Sequence, residues 1–297
     1  MGTHNEHHFI PKFLLREWEG GADEKLSAMR WVRGQISENR YKAKSVAKER
    51  HLYAMRRSST EPNQQLEREF MTKHVDDPAS LVHKQILANG LDGLTQDQAY
   101  TWTRFLVSLA YRGPGAVEHV RESGIDALGL QVSSIFDNQL ETPSEAEKTF
   151  REHVERRDPA LLDFGTYALP NLIQTSALNK IIFESKWMTR RLTTSTRRFL
   201  IGDRPLTLFH IAGSFLLFLP LAPGLALLAF NSSAVEQWLR KVSERDFLHQ
   251  MNRVMVEQAS VYVWGTNTEH QRLLVSRLHK TPAERGLGFG PRPSRAQ

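Results

Sequence analysis

The chain begins "MGTHNEHHFIPKFLLREW", with His4, His7 and His8 at i, i+3, i+4 spacing. Imidazoles so spaced share one face of a helix, where they would bind a metal ion or act as a general base. Pro11 argues against a helix there, because it drives Ile10 out of the helical region, and Phe9-Ile10 favours strand. In an extended segment His7 and His8 point to opposite sides, so only one of the two faces a given pocket. Two other groups invite chemistry. Arg112, in "AYRGPG", follows an apolar helix face and could clamp a phosphate or carboxylate with its planar fork. It also fits as an ordinary cation near a helix C-terminus. Asp203, in "FLIGDRPL", ends an apolar run where scaffolds often place functional groups. It also fits as a cap on the Pro205 turn.

Charge points to a class of partner. The 297 residues carry a formal net charge of +6, concentrated in sequence. Between Lys25 and Arg57 ten basic residues stand against Glu38 and Glu49 alone, and Lys186 to Arg198 holds five more with no acid. Such stretches suit phosphate backbones or a solvated surface. Arg50, Arg56 and Arg57 are candidate phosphate-binding residues. Trp31, Tyr41 and Tyr53 interleave with the basic run and suit base stacking or core packing equally. The sequence contains no cysteine, which excludes disulfides and thiolate zinc sites. It contains no P-loop, GxGxxG, HExxH, GxSxG or EF-hand loop. No secretory signal is visible, and a cytoplasmic location is the expectation.

Elements must place these groups. Residues 8 to 57 read as short extended pieces, including "LSAMRWVRGQI" and "HLYAMR". Residues 61 to 185 read as helices. Asp77-Pro78 resembles a helix start, Gly90 a stop, and Thr95 with Gln98 a capping box. Thr142, Pro143 and Glu145 resemble another start. "FLLFLPLAPGLALLAF", Phe215 to Phe230, is too short and too broken to span a membrane and reads as two buried strands around a Pro-Gly turn. Ser233 and Glu236 box a long helix through Met255, and "SVYVWG" is a last strand. The fold class is α+β: β-rich N- and C-terminal parts share a sheet, with a helical block between them. One domain over 1–280 and a loose Gly/Pro/Arg tail over 281–297 are expected.

Together these pieces resemble a bacterial family known as domain of unknown function 4238. His8-Phe9-Ile10-Pro11 with Phe13, Leu15, Arg16 and Trp18 resembles its N-terminal signature. "ERHLYAM", Arg112 with Pro114, Asp203 with Pro205, "FLPLAP", Asn252 and Tyr262 resemble later signatures in the same order. The family pattern has Thr-Ser where this chain has Ile201-Gly202. The resemblance implies no activity, but it implies that His8, Arg112, Asp203 and Asn252 converge, since scattered polar residues are costly in a core unless mutually bonded or used.

Two functions fit. The first is a hydrolase acting on nucleic acid or another phosphoester. His8 would be its general base or, with Asp203, a ligand for a divalent metal. Arg112 would stabilise phosphate charge, and His7, Asn252 and the arginines would bind. The second is a non-enzymatic nucleic-acid-binding or regulatory module in which the same residues form a structural network.

Overall fold

The computed structural model describes residues 6–54, 66–137, 144–211, 214–267 and 270–278. Strand β1 (Glu6–His8) leads through Pro11 into one helical turn, α1 (Lys12–Leu15), and a 3-10 turn at Arg16–Trp18. The sequence reading expected extended chain here. Pro11 starts the helix instead, since a proline at a helix entrance gives up no intrahelical hydrogen bond, and Leu14, Leu15 and Trp18 are thereby buried. A hairpin follows, β2 (Leu26–Val32) and β3 (Gln35–Tyr41), turned by Arg33 and Gly34, whose φ values of 48° and 86° suit a tight hairpin turn. Strand β4 (Lys48–Arg50) pairs antiparallel with β1, setting His7 opposite Glu49. "HLYAMR" is not a strand: His51–Tyr53 form a turn, and Met55 onward lies outside the described residues.

The helical block begins with an unusual element. Leu66–Asp76 is a π-helix that runs straight into α2 (Asp77–Asn89), so Asp77-Pro78 does not begin a helix but sits within a continuous one. The buried positions explain the wide turn. Leu66, Phe70, Met71 and Val75 recur at four to five residues, the i→i+5 spacing of a π-helix. Gly90 ends α2, and Thr95 and Gln98 form the expected capping box on α3 (Gln96–Tyr111). Helices α4 (Pro114–Asp137), α5 (Glu145–Glu155), α6 (Pro159–Thr175) and α7 (Ala177–Phe183) complete the block. Thr142 and Pro143 lie outside the described residues. Helices α4 and α6 cross closely at Gly165, where a Cβ would stand 2.4 Å from the Val120 carbonyl oxygen.

The C-terminal part supplies β5 (Lys186–Arg191), β6 (Ile201–Gly202), β7 (Thr207–Ile211), β8 (Ser214–Ala222), β9 (Leu225–Phe230) and, later, β10 (Val263–Gly265). Besides the β1-β4 pair, one antiparallel four-stranded sheet has the order β5-β9-β8-β7, and a second has β3-β2-β10-β6. The second joins both ends of the chain, as expected. Strands β8 and β9 are the two buried strands around Pro223-Gly224. Their alternation feeds two cores. Leu217, Leu219, Leu225 and Leu227 pack toward the helical block, while Leu216, Phe218, Leu228 and Phe230 pack toward the C-terminal helices. A strand buried on both faces needs a continuous apolar run, which is what Phe215–Phe230 supplies. Full burial of each such side chain contributes about 1.5–3 kcal/mol.

The expected long helix from Ser233 is two helices, α8 (Ser233–Lys241) and α9 (Glu244–Gln258), followed by α10 (Gln271–Arg277). The break has a local cause: Val242 is extended, and the Ser243 side chain caps α9 by accepting from the Asp246 N–H. Among the described residues no helix is long and apolar enough to cross a membrane.

Candidate functional site

Arg112 lies just past the end of α3 and is fully buried. Its guanidinium forks onto Asp76, Nη1 to Oδ1 at 2.6 Å and Nη2 to Oδ2 at 3.0 Å. Nη2 also donates to the His8 carbonyl at 3.0 Å, and the Tyr53 hydroxyl donates to the Arg112 carbonyl at 2.7 Å. Burial works against the guanidinium's charge, but Asp76, Tyr53 and Glu67 together outweigh it and hold the pKa above the usual arginine value. Glu67 completes the cluster. Its Oε2 is buried and makes no hydrogen bond, and burial pushes its carboxyl up to about 7 against the pull of Arg112. The π-helix brings these acids together. Nine residues are two and a half turns of α-helix, which would put Glu67 and Asp76 on opposite faces. The wider π turn makes nine residues about two full turns and aligns them.

The two adjacent histidines divide as the strand geometry requires. His7 is fully buried, stacks on Tyr53 with ring centroids 5.6 Å apart, and accepts the Tyr53 N–H on Nδ1 at 3.0 Å. His8 is half-buried, with Nε2 3.3 Å from the Lys44 carbonyl. Burial and the charges of Lys12, Lys48 and Arg112 push its pKa down to about 4. Its contact with Arg112 is through the backbone carbonyl.

Asp203 follows β6 and is also committed. Its carboxylate accepts the N–H groups of Ser260, Val261 and Tyr262 at 2.6, 2.6 and 2.9 Å. Burial pushes its pKa up while the three N–H donors pull it down. Gly202 before it is closely packed: a Cβ there would stand 3.3 Å from Met255 and Ala259, which would have to give by a few tenths of an ångström. Asn252, buried on α9, accepts from the Leu200 N–H and donates to the Arg198 carbonyl, both at 2.9 Å. So the structure brings Arg112 and His8 together through the main chain. No hydrogen bond or ion pair joins Asp203 to either of them, and Asn252 serves a third junction. Among the described residues no group of three or more His, Asp or Glu side chains is placed to hold a metal ion.

Three members of the first basic run are paired within the fold. Arg40 forks onto Asp23 and also donates to the carbonyls of Gly20, Lys25 and Thr266; Lys42 pairs with Glu24, and Lys48 with Glu6. Arg50 is exposed on β4, near Glu6. Arg56 and Arg57 lie outside the described residues.

A cavity of about 600 Å³ gathers the signature segments. Phe9, Pro114, Asp203 and Tyr262, from four distant stretches, all line it. Its walls carry Arg30, Arg204 and Lys48 with Tyr41 and Trp264. Arg30 lies over the Tyr262 ring, 5.2 Å from the centroid, and Tyr262 stacks on Trp264 at 5.8 Å. Gly113 to Ala116, the entrance of α4, forms one wall; Pro114 has no N–H, which leaves Gly115 and Ala116 as the first backbone donors of the helix.

Sequence reasoning missed Asp76 and Glu67. The signal for Asp76 was present in "VDDPAS", but the proline drew attention to Asp77. Glu67 needed the π-helix, for which only the Leu66, Phe70, Met71 and Val75 spacing gives warning. A protein-family model described as "Protein of unknown function (DUF4238)" matches residues 6–269. No curated protein and no solved structure matches the chain.

Proposed function

The chain belongs to the DUF4238 family, and we propose that it is a non-enzymatic module that holds a small phosphate-bearing ligand in the cavity between Phe9, Pro114, Asp203 and Tyr262. The observation that carries this reading is the convergence of four signature segments on one cavity of about 600 Å³, within the range of small-molecule sites. Its chemistry suits the ligand class. The entrance of α4 favours an anion, and Tyr41 offers an aromatic face. Arg30 and Arg204 add positive charge beside Glu6, which is paired with Lys48, Asp203, which is engaged by backbone N–H groups, and Glu49. The hydrolase reading is weaker on the same geometry. Both terminal nitrogens of Arg112 are taken by Asp76 and His8, and both oxygens of Asp203 by backbone N–H groups. A His8 imidazole with a pKa of about 4 is a poor proton acceptor at neutral pH.

The test is thermal shift and calorimetric titration with inorganic phosphate and nucleoside mono- and diphosphates. Ser45 is exposed at the cavity rim, so Ser45→Trp should obstruct the site without disturbing the core. At least one compound should raise the melting temperature of the wild type and not of Ser45→Trp. No shift with any of them, or equal shifts in both proteins, would overturn the proposal.

A further inference from the structure

We infer that the open groove between α9, α10 and the loop at residues 194–197 binds the phosphate backbone of nucleic acid without reading its sequence. This groove, of about 1230 Å³, shares no lining residue with the cavity. Five arginines line it, Arg197, Arg245, Arg253, Arg272 and Arg277, together with His249. Asp246 is the one carboxylate among the described lining residues, and it is engaged by the Ser243 hydroxyl at 2.7 Å. All five arginines are exposed. Arg253 and Arg277 share Glu257, at 3.8 and 3.0 Å. No acid pairs with Arg197, Arg245 or Arg272 among the described residues.

Residue choice and spacing both point to phosphate. The lining holds five arginines and no lysine, and arginine's planar fork matches phosphate oxygens as an ammonium does not. Arg245, His249 and Arg253 recur every four residues and so line one face of α9, about 6 Å apart along its axis. Arg245 stands in the first turn of α9, where the helix dipole disfavours a cation. Its position is explained by an anion outside the helix rather than by helix stability.

The groove is also built in advance. The Glu244 carboxylate accepts the N–H groups of Thr193, Thr194 and Ser195 at 2.8, 3.0 and 2.6 Å, and both threonine hydroxyls at 3.0 Å. These bonds hold its pKa down to about 2 and fix the loop that carries Arg197. Asn252 pins Arg198 and Leu200 to the inner side of α9. No Phe, Tyr or Trp is among the described lining residues, so the groove lacks the large aromatic faces on which single-stranded bases usually stack. Phosphates spaced along a duplex are the ligand its cations fit.

The experiment is fluorescence anisotropy with two short DNA duplexes of unrelated sequence across a salt series. Both should bind with equal affinity, and log K should fall linearly with log salt concentration. Arg245→Gln should lower the steepness of that line by about one unit. The triple variant Arg197→Glu, Arg245→Glu, Arg272→Glu should lose at least about a hundredfold in affinity at low salt. Circular dichroism and melting temperature establish that each variant is folded, and the single variant still decides the matter if the triple does not fold. Ser45→Trp should bind duplex as the wild type does, so failure of the cavity proposal and failure of this one are separable. Absence of duplex binding at low salt, unchanged binding by the variants, or binding to anionic lipid vesicles without binding to duplex would overturn the inference.

Discussion

Arg112 and Arg245 both stand at helix ends, and almost nothing else about them agrees. Arg112 closes α3, is fully buried, and has its terminal nitrogens bonded to Asp76 and the His8 carbonyl. Arg245 opens α9, is exposed, and has no acidic partner among the described residues. A fully buried arginine whose fork is held by a carboxylate is committed to that pair, although its Nε–H makes no hydrogen bond, and losing either partner strands a charge. An exposed arginine set against the helix dipole contributes little to folding and is available to an outside anion. Arg112 is thus bonded into the fold, while the exposed arginines are the ones for which phosphate binding is proposed.

The contrast can be broken most directly at the buried end. Asp76→Ala should destabilise the protein by about 3–5 kcal/mol, read from urea unfolding, because it leaves the Arg112 guanidinium buried without its counter-charge. A loss under about 1 kcal/mol would mean the pair is solvated in solution and Arg112 is free to act elsewhere.

Glu67 sharpens the same point through pH. Its carboxyl is raised from 4.5 to about 7 in the fold. A raised acid stabilises fully below its unfolded pKa, and that contribution is lost as pH rises through the folded value. Glu67→Gln, which mimics the protonated acid, should match the wild type below pH 4.5 and exceed it in stability above about pH 7, by on the order of 1–3 kcal/mol. His8, with a lowered pKa, contributes in the opposite sense in both proteins, so their difference isolates Glu67. Identical pH–stability curves would place Glu67 in solvent.

The smallest effect is expected at the exposed end. Arg245→Gln should change unfolding free energy by no more than about 0.5 kcal/mol, while its duplex affinity falls. A large loss of stability would assign Arg245 to the fold and erase the contrast with Arg112.

Much of the architecture was legible in the sequence because it rests on local patterns. The apolar run from Phe215 to Phe230, broken at Pro223-Gly224, reads as two buried strands, and the Thr95 and Gln98 capping box satisfies the N-terminus of its own helix. The joining of the two chain ends followed from the marginal stability of a lone hairpin. What escaped was non-local or non-standard. The π-helix depends on a spacing of four to five residues that is easily taken for an α-helical stripe, and with it went Asp76 and Glu67. The α8–α9 break turned on Ser243, whose side chain caps α9, whereas the expected box of Ser233 and Glu236 does not form: α8 starts after Ser232, which makes no side-chain cap bond, and Glu236 pairs with Lys186 and Arg240. At the site, sequence singled out Arg112, Asp203 and Asn252 as polar residues needing an explanation. It could not say that each would bond a different junction: Arg112 to the π-helix and β1, Asp203 to the turn before β10, and Asn252 to the segment before β6. The groove arginines escaped for a related reason, since Arg197, Arg245 and Arg272 are far apart in sequence and only α9 and α10 bring them together.

The most direct test of this account is a double-mutant cycle on Arg112 and Asp76, comparing unfolding free energies of Arg112→Ala, Asp76→Ala and the double variant. The account predicts two large single losses and a double loss well short of their sum, with a coupling of about 2–3 kcal/mol. Additive effects, or an Arg112→Ala protein as stable as the wild type, would contradict it and return Arg112 to the list of groups that meet a substrate.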